Sequence, residues 1–171
     1  RNRRVVEMGH DDVVSIDATL VSSDDDPLSG EGSVRYVASQ WVWKDGVPVS
    51  GSTPKRVAQR LAELEVDEFI DATEGQVDFG LESPRARIEL KDADERSRVV
   101  RIGGTGEPLV DSEGHSHKRY YVQIEEEEAI YLVNAGVLEV VRDLVRESGR
   151  KAKKDSEKAA RRERIESTVD Q

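Results

Sequence analysis

The stretch Arg85-Ala86-Arg87-Ile88-Glu89-Leu90 alternates strictly between polar and apolar residues, and this period of two constrains the fold more than any other feature. Successive side chains point to opposite faces only in an extended strand, so such a segment has one buried face and one wet face. The same period recurs along the chain. After Asp12, Val14, Ile16, Ala18 and Leu20 alternate with Ser15, Asp17 and Thr19. Residues 34–38 and 40–44 read as two further strands, and Asp45-Gly46 directly after them is a hairpin signal. Residues 47–49 contain Pro48, which cannot donate to the interior of a ladder, so they are expected to return as a short edge piece. Residues 98–102 form the partner of 85–90, with Asp92-Ala93-Asp94-Glu95 as the turn. Residues 120–124 and 129–133 make another hairpin around Glu125-Glu126-Glu127-Glu128. Between these elements, residues 22–32 and 103–118 are rich in Gly, Ser, Asp or His and read as loops.

Two stretches change to the helical period. Val57, Leu61 and Leu64, with Ala58 and Ala62 beside them, make one apolar stripe behind Thr53-Pro54, a good cap and first-turn pair. Val137, Leu138, Val141, Leu144 and Val145 make a second stripe after Asn134, and Gly149 is placed to end that helix. Phe69 and Ile70 start a strand leaving the first helix. The order is three strands, a helix, four or five strands, a helix. Hairpin connections make the sheet mainly antiparallel, with both amphipathic helices packed on one face: an α+β fold. Residues 1–11 form an N-terminal flank, 12–146 a single domain and 147–171 a charged helical or disordered tail.

Charge divides along the same boundary. The tail carries 8 basic and 6 acidic residues, which leaves 18 basic against 30 acidic residues in the first 146. A body this acidic repels phosphate, so nucleic acid is not an expected partner. The tail's Arg150-Lys151-Ala152-Lys153-Lys154 and Arg161-Arg162-Glu163-Arg164 could meet anionic lipid or RNA, but scattered apolar residues make a solvated end the expectation. The chain opens Arg1-Asn2-Arg3-Arg4 with no initiator methionine, so it reads as an excised or processed fragment, with any anchor lying upstream. No apolar run approaches the roughly 20 residues that span a bilayer. With no cysteine there is no thiolate nucleophile and no Cys-ligated metal.

The side chains that could carry chemistry are few. Gly103-Gly104-Thr105-Gly106 lacks the Lys-Ser/Thr of a phosphate loop and reads as a strand exit. Asp24-Asp25-Asp26 with Glu31 misses the calcium-loop pattern. His115 and His117, two apart in a loop, could share a face toward a transition metal, although solvent-exposed loop histidines are the plainer reading. Trp41 and Trp43 share one strand face, where they either pack into the core or offer a platform to a sugar or peptide. No serine has an identifiable His–Asp arrangement. The residues do not imply an enzyme or a cofactor.

One ordered set is more distinctive. Asp78-Phe79-Gly80-Leu81-Glu82-Ser83-Pro84 precedes the alternating strand, and Val100-Arg101-Ile102-Gly103-Gly104 follows it. Gly80 permits a left-handed backbone angle and Pro84 fixes the exit, so Phe79 and Leu81 can be buried at a structural corner. Tyr120-Tyr121-Val122 and Ala129-Ile130-Tyr131-Leu132-Val133 come later, and Trp41 comes before the first helix. In order and spacing this set resembles the bacterial domain-of-unknown-function 4340 family, over residues 12–146. The resemblance implies a membrane-anchored protein with its domain outside the cytoplasm, in the periplasm or beyond. It also implies an auxiliary role in gliding-motility-type ABC transport systems. It supplies no catalytic residue. The expectation is therefore a non-enzymatic binding or assembly domain, tethered through a segment absent from this chain, whose partner is a protein or an envelope polymer. The alternatives are a metal-dependent hydrolase using His115 and His117, or carbohydrate or peptide binding on the Trp41/Trp43 face.

Overall fold

A computed structural model describes residues 5–70 and 78–169. After a short 3-10 turn, β1 (Val13–Leu20), β2 (Gly30–Val37) and β3 (Gln40–Trp43) lead to α1 (Thr53–Ala62). Next come β4 (Glu68–Ile70), β5 (Ala86–Asp92), β6 (Ser97–Thr105), β7 (Leu109–Val110), β8 (Ser116–His117), β9 (Arg119–Ile124) and β10 (Ile130–Asn134). The last element is α2 (Gly136–Val169). Eight strands form one sheet in the order β3-β2-β1-β5-β6-β9-β10-β4, and β7 and β8 form a separate two-stranded hairpin. Each neighbouring pair is antiparallel. The fold is α+β, as the hairpins and stripes require.

One face of the sheet is dry. Ile16, Leu20, Val34, Ile88, Leu90, Val100, Ile102, Val122 and Ile124 form one core cluster with Val57 and Leu61 of α1 and Val137, Val141 and Leu144 of α2. Val5, Val6 and Met8 from the N-terminal flank join the same core. Over β1, β2, β5 and β6 the other face is charged, with like charges directly opposite in two places, Arg87 against Arg101 and Asp17 against Glu89, whereas on β10 Ile130 and Leu132 are buried on it. Each pair is relieved by counter-ions on the same face. Glu125 Oε2 lies 3.2 Å from Arg87 Nε and 3.5 Å from Arg101 Nε, and Arg35 and Lys91 pair with Asp17 and Glu89. Glu125, at the end of the β9–β10 hairpin, is therefore part of an ion-pair network on this face. The Arg87 hydrogen bond, with Arg101 behind it, holds its carboxyl below the usual range.

Four expectations are corrected by packing. The register slips between Val13 and Ser15, so Val13 and Ser15 are buried and Val14 is not. The supposed loop at 22–32 is already strand from Gly30. Helix α2 crosses β2 so closely that a Cβ on Gly32 would lie 3.0 Å from Leu144 Cγ, so glycine here accommodates a helix instead of a turn. Residues 103–118 are not one long loop, because β6 continues to Thr105 and the β7–β8 hairpin follows. Gly149 does not end α2, which runs on to Val169 and takes in almost all of the supposed tail. Asn134 does cap this helix, accepting the Gly136 amide at 2.9 Å. Residues 47–49 do return along the outer edge of β3, where the Val49 amide donates to the Trp41 carbonyl at 3.0 Å.

The β2–β3 connection is a two-residue turn whose central residues, Ala38 and Ser39, have φ of 50° and 65°. That geometry suits Asn-Gly, and a side chain there costs about 1 kcal/mol per residue. Ser39→Gly is accordingly expected to raise the melting temperature by about 2 °C. Calorimetry reads this directly, and an unchanged or lower transition would contradict the strained turn.

Candidate functional site

The structure scatters most of the side chains singled out by sequence. Trp43 is 8 % exposed and belongs to the core, while Trp41 is half-buried and tilted against Tyr36 with ring centroids 5.4 Å apart. Only Trp41 of the two remains at the surface, on an edge strand. His115 and His117 lie on the β7–β8 hairpin, where a carboxylate that sequence spacing did not single out meets both of them. Asp111 Oδ2 is 2.9 Å from His117 Nε2 and 3.5 Å from His115 Nδ1. The other oxygen, Oδ1, accepts the amides of Glu113 and His115, both at 2.9 Å. Asp111 thus ties the turn together, and its carboxyl is held below the usual range by the His117 hydrogen bond first and the His115 amide second. Among the described residues no three His, Asp or Glu side chains are placed to hold a metal ion together.

The corner motif does converge on something. Gly80 has φ of 69°, and its amide donates to Asp78 Oδ1 at 2.8 Å in a tight side-chain turn. This turn presses the backbone of Phe79 onto β6, where the Gly104 amide donates to the Phe79 carbonyl at 2.9 Å. Neither side of the contact tolerates a side chain. A Cβ on Gly80 would sit 2.8 Å from the Gly104 nitrogen, and one on Gly103 would sit 2.4 Å from the Phe79 oxygen. Phe79 closes edge-on against Tyr121 at 4.9 Å, and Leu81 is buried at 7 % exposure. The paired glycines also explain why β6 and β9 slip register between Ile102 and Thr105. Gly103-Gly104 is therefore a strand pinned by a corner and not a free strand exit.

Beside the corner lies a cleft of about 600 Å³. The β1–β2 loop supplies Ser22, Ser23 and Asp26, and the corner supplies Gly80, Pro84 and Arg85. Thr105, Lys118 and Tyr120 line the sheet side, and Leu138, Glu139 and Arg142 belong to the first turns of α2. Its hub is Asp26. Oδ1 accepts the Leu28 amide at 3.1 Å, and Oδ2 lies 2.9 Å from Arg85 Nη2 and 2.6 Å from Arg142 Nε. Asp26 and Arg85 are only 18 % and 13 % exposed. The Leu28 amide, then Arg142 and Arg85, hold the Asp26 carboxyl below the usual aspartate range against the opposing pull of burial. One carboxylate thus joins three segments that are far apart in sequence. Lys118 stands at the rim with its ammonium 5.5 Å from the centre of the Tyr120 ring.

In the sequence Asp26 stands out only as part of an acidic run. The available signals were slight: an Asp-Pro turn at Asp26-Pro27, and an arginine at the edge of the α2 stripe four residues after Leu138.

An open antiparallel sheet with two helices on one face, and a charged cleft at a glycine-glycine corner, define a two-layer α+β domain. The family model described as Domain of unknown function (DUF4340) matches residues 41–144, and the chain belongs to that family. The match is narrower than the resemblance over 12–146: it starts in β3 and ends in α2 just beyond Arg142. No curated protein and no solved structure matches the chain.

Proposed function

We propose that this chain is a non-enzymatic binding or assembly domain, and that its contact site is the cleft beside the corner. One observation carries the reading. The groups at the cleft's hub are fixed in charge: Asp26 is held ionised by an amide and two guanidiniums, and the arginines do not titrate in the physiological range. Acid–base catalysis near neutrality needs a group that exchanges its proton there, whereas recognition needs charges that stay put. Rim groups Lys118, Tyr120 and Thr105 would add hydrogen bonds to a bound segment of a protein or an envelope polymer. The family resemblance supports the wider setting: a bacterial envelope protein, tethered to the membrane through a segment outside this chain, working outside the cytoplasm as an accessory of an ABC-type transport system. Among the described residues no helix is long and apolar enough to cross a membrane.

Site-specific photo-crosslinking in cells, using the full-length gene product, tests this. A crosslinking side chain at Tyr120 is expected to trap a discrete envelope component, and one at Arg87 on the open sheet face is not. Equal trapping from both positions, trapping of cytosolic proteins alone, or no adduct from Tyr120 would defeat the reading.

A further inference from the structure

Helix α2 is one element with two environments. From Gly136 to Leu144 it is rooted in the core, whereas every side chain from Ala152 to Thr168 is exposed. At 1.5 Å per residue this exposed part is about 25 Å long. Helical geometry sorts its charges. At about 100° per residue, Arg150, Lys154, Lys158, Arg161, Arg162 and Ile165 fall within an arc of about 120°. Glu163 and Glu166 lie outside that arc, and Asp155 and Glu157 border it, one at each edge. Lys151, also in the arc, is already bound to Asp45 and Asp155. Among the described residues the five other cations of the stripe form no ion pair. The helix is continuous through Gly149, so it does not fold back and deliver these cations to the acidic body. The free length also exceeds the Debye length of about 8 Å, so the tip is screened from the body's negative charge.

We infer that this stripe docks on an anionic lipid surface. The charge sign selects an anionic partner, and three features select among anionic partners. Residues 150–168 contain no aromatic side chain on which bases could stack, so nucleic acid would meet only the charge and guanidiniums that any polyanion meets. On a second copy, Asp17, Glu89 and Glu125 of the charged sheet face are already paired with that copy's own cations, so the face offers the stripe little free negative charge. Ile165, 58 % exposed, sits among the arginines, where it can enter the headgroup layer while its neighbours hold the phosphates. This inference does not depend on the cleft.

Co-sedimentation of the full chain with vesicles decides it, using phosphatidylcholine alone and phosphatidylcholine mixed with phosphatidylglycerol. Binding is expected only to the mixed vesicles and is expected to fall as salt rises. Replacing Lys154, Lys158, Arg161 and Arg162 together by Gln should weaken it roughly a hundredfold or more. Glu163→Gln with Glu166→Gln, both outside the arc, should leave it equal or tighter. Circular dichroism checks that both variants keep the helix, and the salt titration on the unaltered chain tests the charge requirement without any variant. No binding to mixed vesicles, equal binding to neutral ones, indifference to the four replacements, or tighter binding to single-stranded RNA or to a second copy would overturn the inference.

Discussion

Replacing Gly103 by alanine is expected to lower the melting temperature by roughly 5–10 °C, from a loss of about 2–3 kcal/mol. The added methyl would sit 2.4 Å from the Phe79 carbonyl oxygen, 3.0 Å from Leu81 Cδ2 and 3.2 Å from the Gly80 carbonyl carbon. Two of these three neighbours are backbone, so no rotamer change relieves the contact. The corner would have to lift off β6, which stretches the Gly104–Phe79 hydrogen bond. Gly149 supplies a control of opposite sign. It is helical, and a Cβ there meets nothing within 4 Å, so Gly149→Ala should gain about 0.5–1 kcal/mol. Thermal melts of the two variants side by side make the test. If Gly103→Ala melts with the unaltered protein, the corner does not press on the strand as described.

Asp26→Asn is the second large effect, expected at about 2–4 kcal/mol. The substitution keeps an oxygen for the Leu28 amide but turns the other position into a donor facing Arg85 and Arg142. Two guanidiniums would then share a half-closed cleft without a counter-ion. The sign of the pH dependence follows from the direction of the shift. Asp26 is depressed by the Leu28 amide, Arg142 and Arg85, so its folded-state pKa lies below the unfolded value of about 3.9. Its contribution is complete above the unfolded value and disappears as pH falls through the folded one. Urea denaturation should therefore show a wide gap between unaltered protein and variant near neutrality, narrowing on the acid side of the ordinary aspartate range. A gap of constant width would mean that the carboxylate's charge is not what holds the three segments together.

The two effects mark where sequence is readable and where it is not. The strands at 85–90, 98–102 and 120–124 were legible because period two reports one wetter face, which is present in the structure, whereas 129–133 is a continuous apolar run that proves buried on both faces. Both helix stripes were legible for the equivalent reason, and each of their residues is buried. The β2 glycines were not, because a glycine that admits a crossing helix looks like a glycine that makes a turn. The slip at Val13 depends on a partner strand more than 70 residues away. The cleft was least visible of all. Asp26, Arg85 and Arg142 each look like ordinary surface charge, and only the folded topology brings them to one point. The corner motif was seen as a set, but what it presses against required Gly103 and Gly104 to be placed opposite it.

Helix α2 has one further consequence. Its root is clamped by the core, by Arg142 and, as far out as Lys151, by Asp45, while beyond Asp155 every described side chain is exposed, so it is mechanically a cantilever. A sideways load on the outer half becomes a bending moment where the rod leaves its support. Ser148-Gly149 lies within a turn of that point, just inside the Lys151–Asp45 tie, and is the kind of pair at which helices give way first.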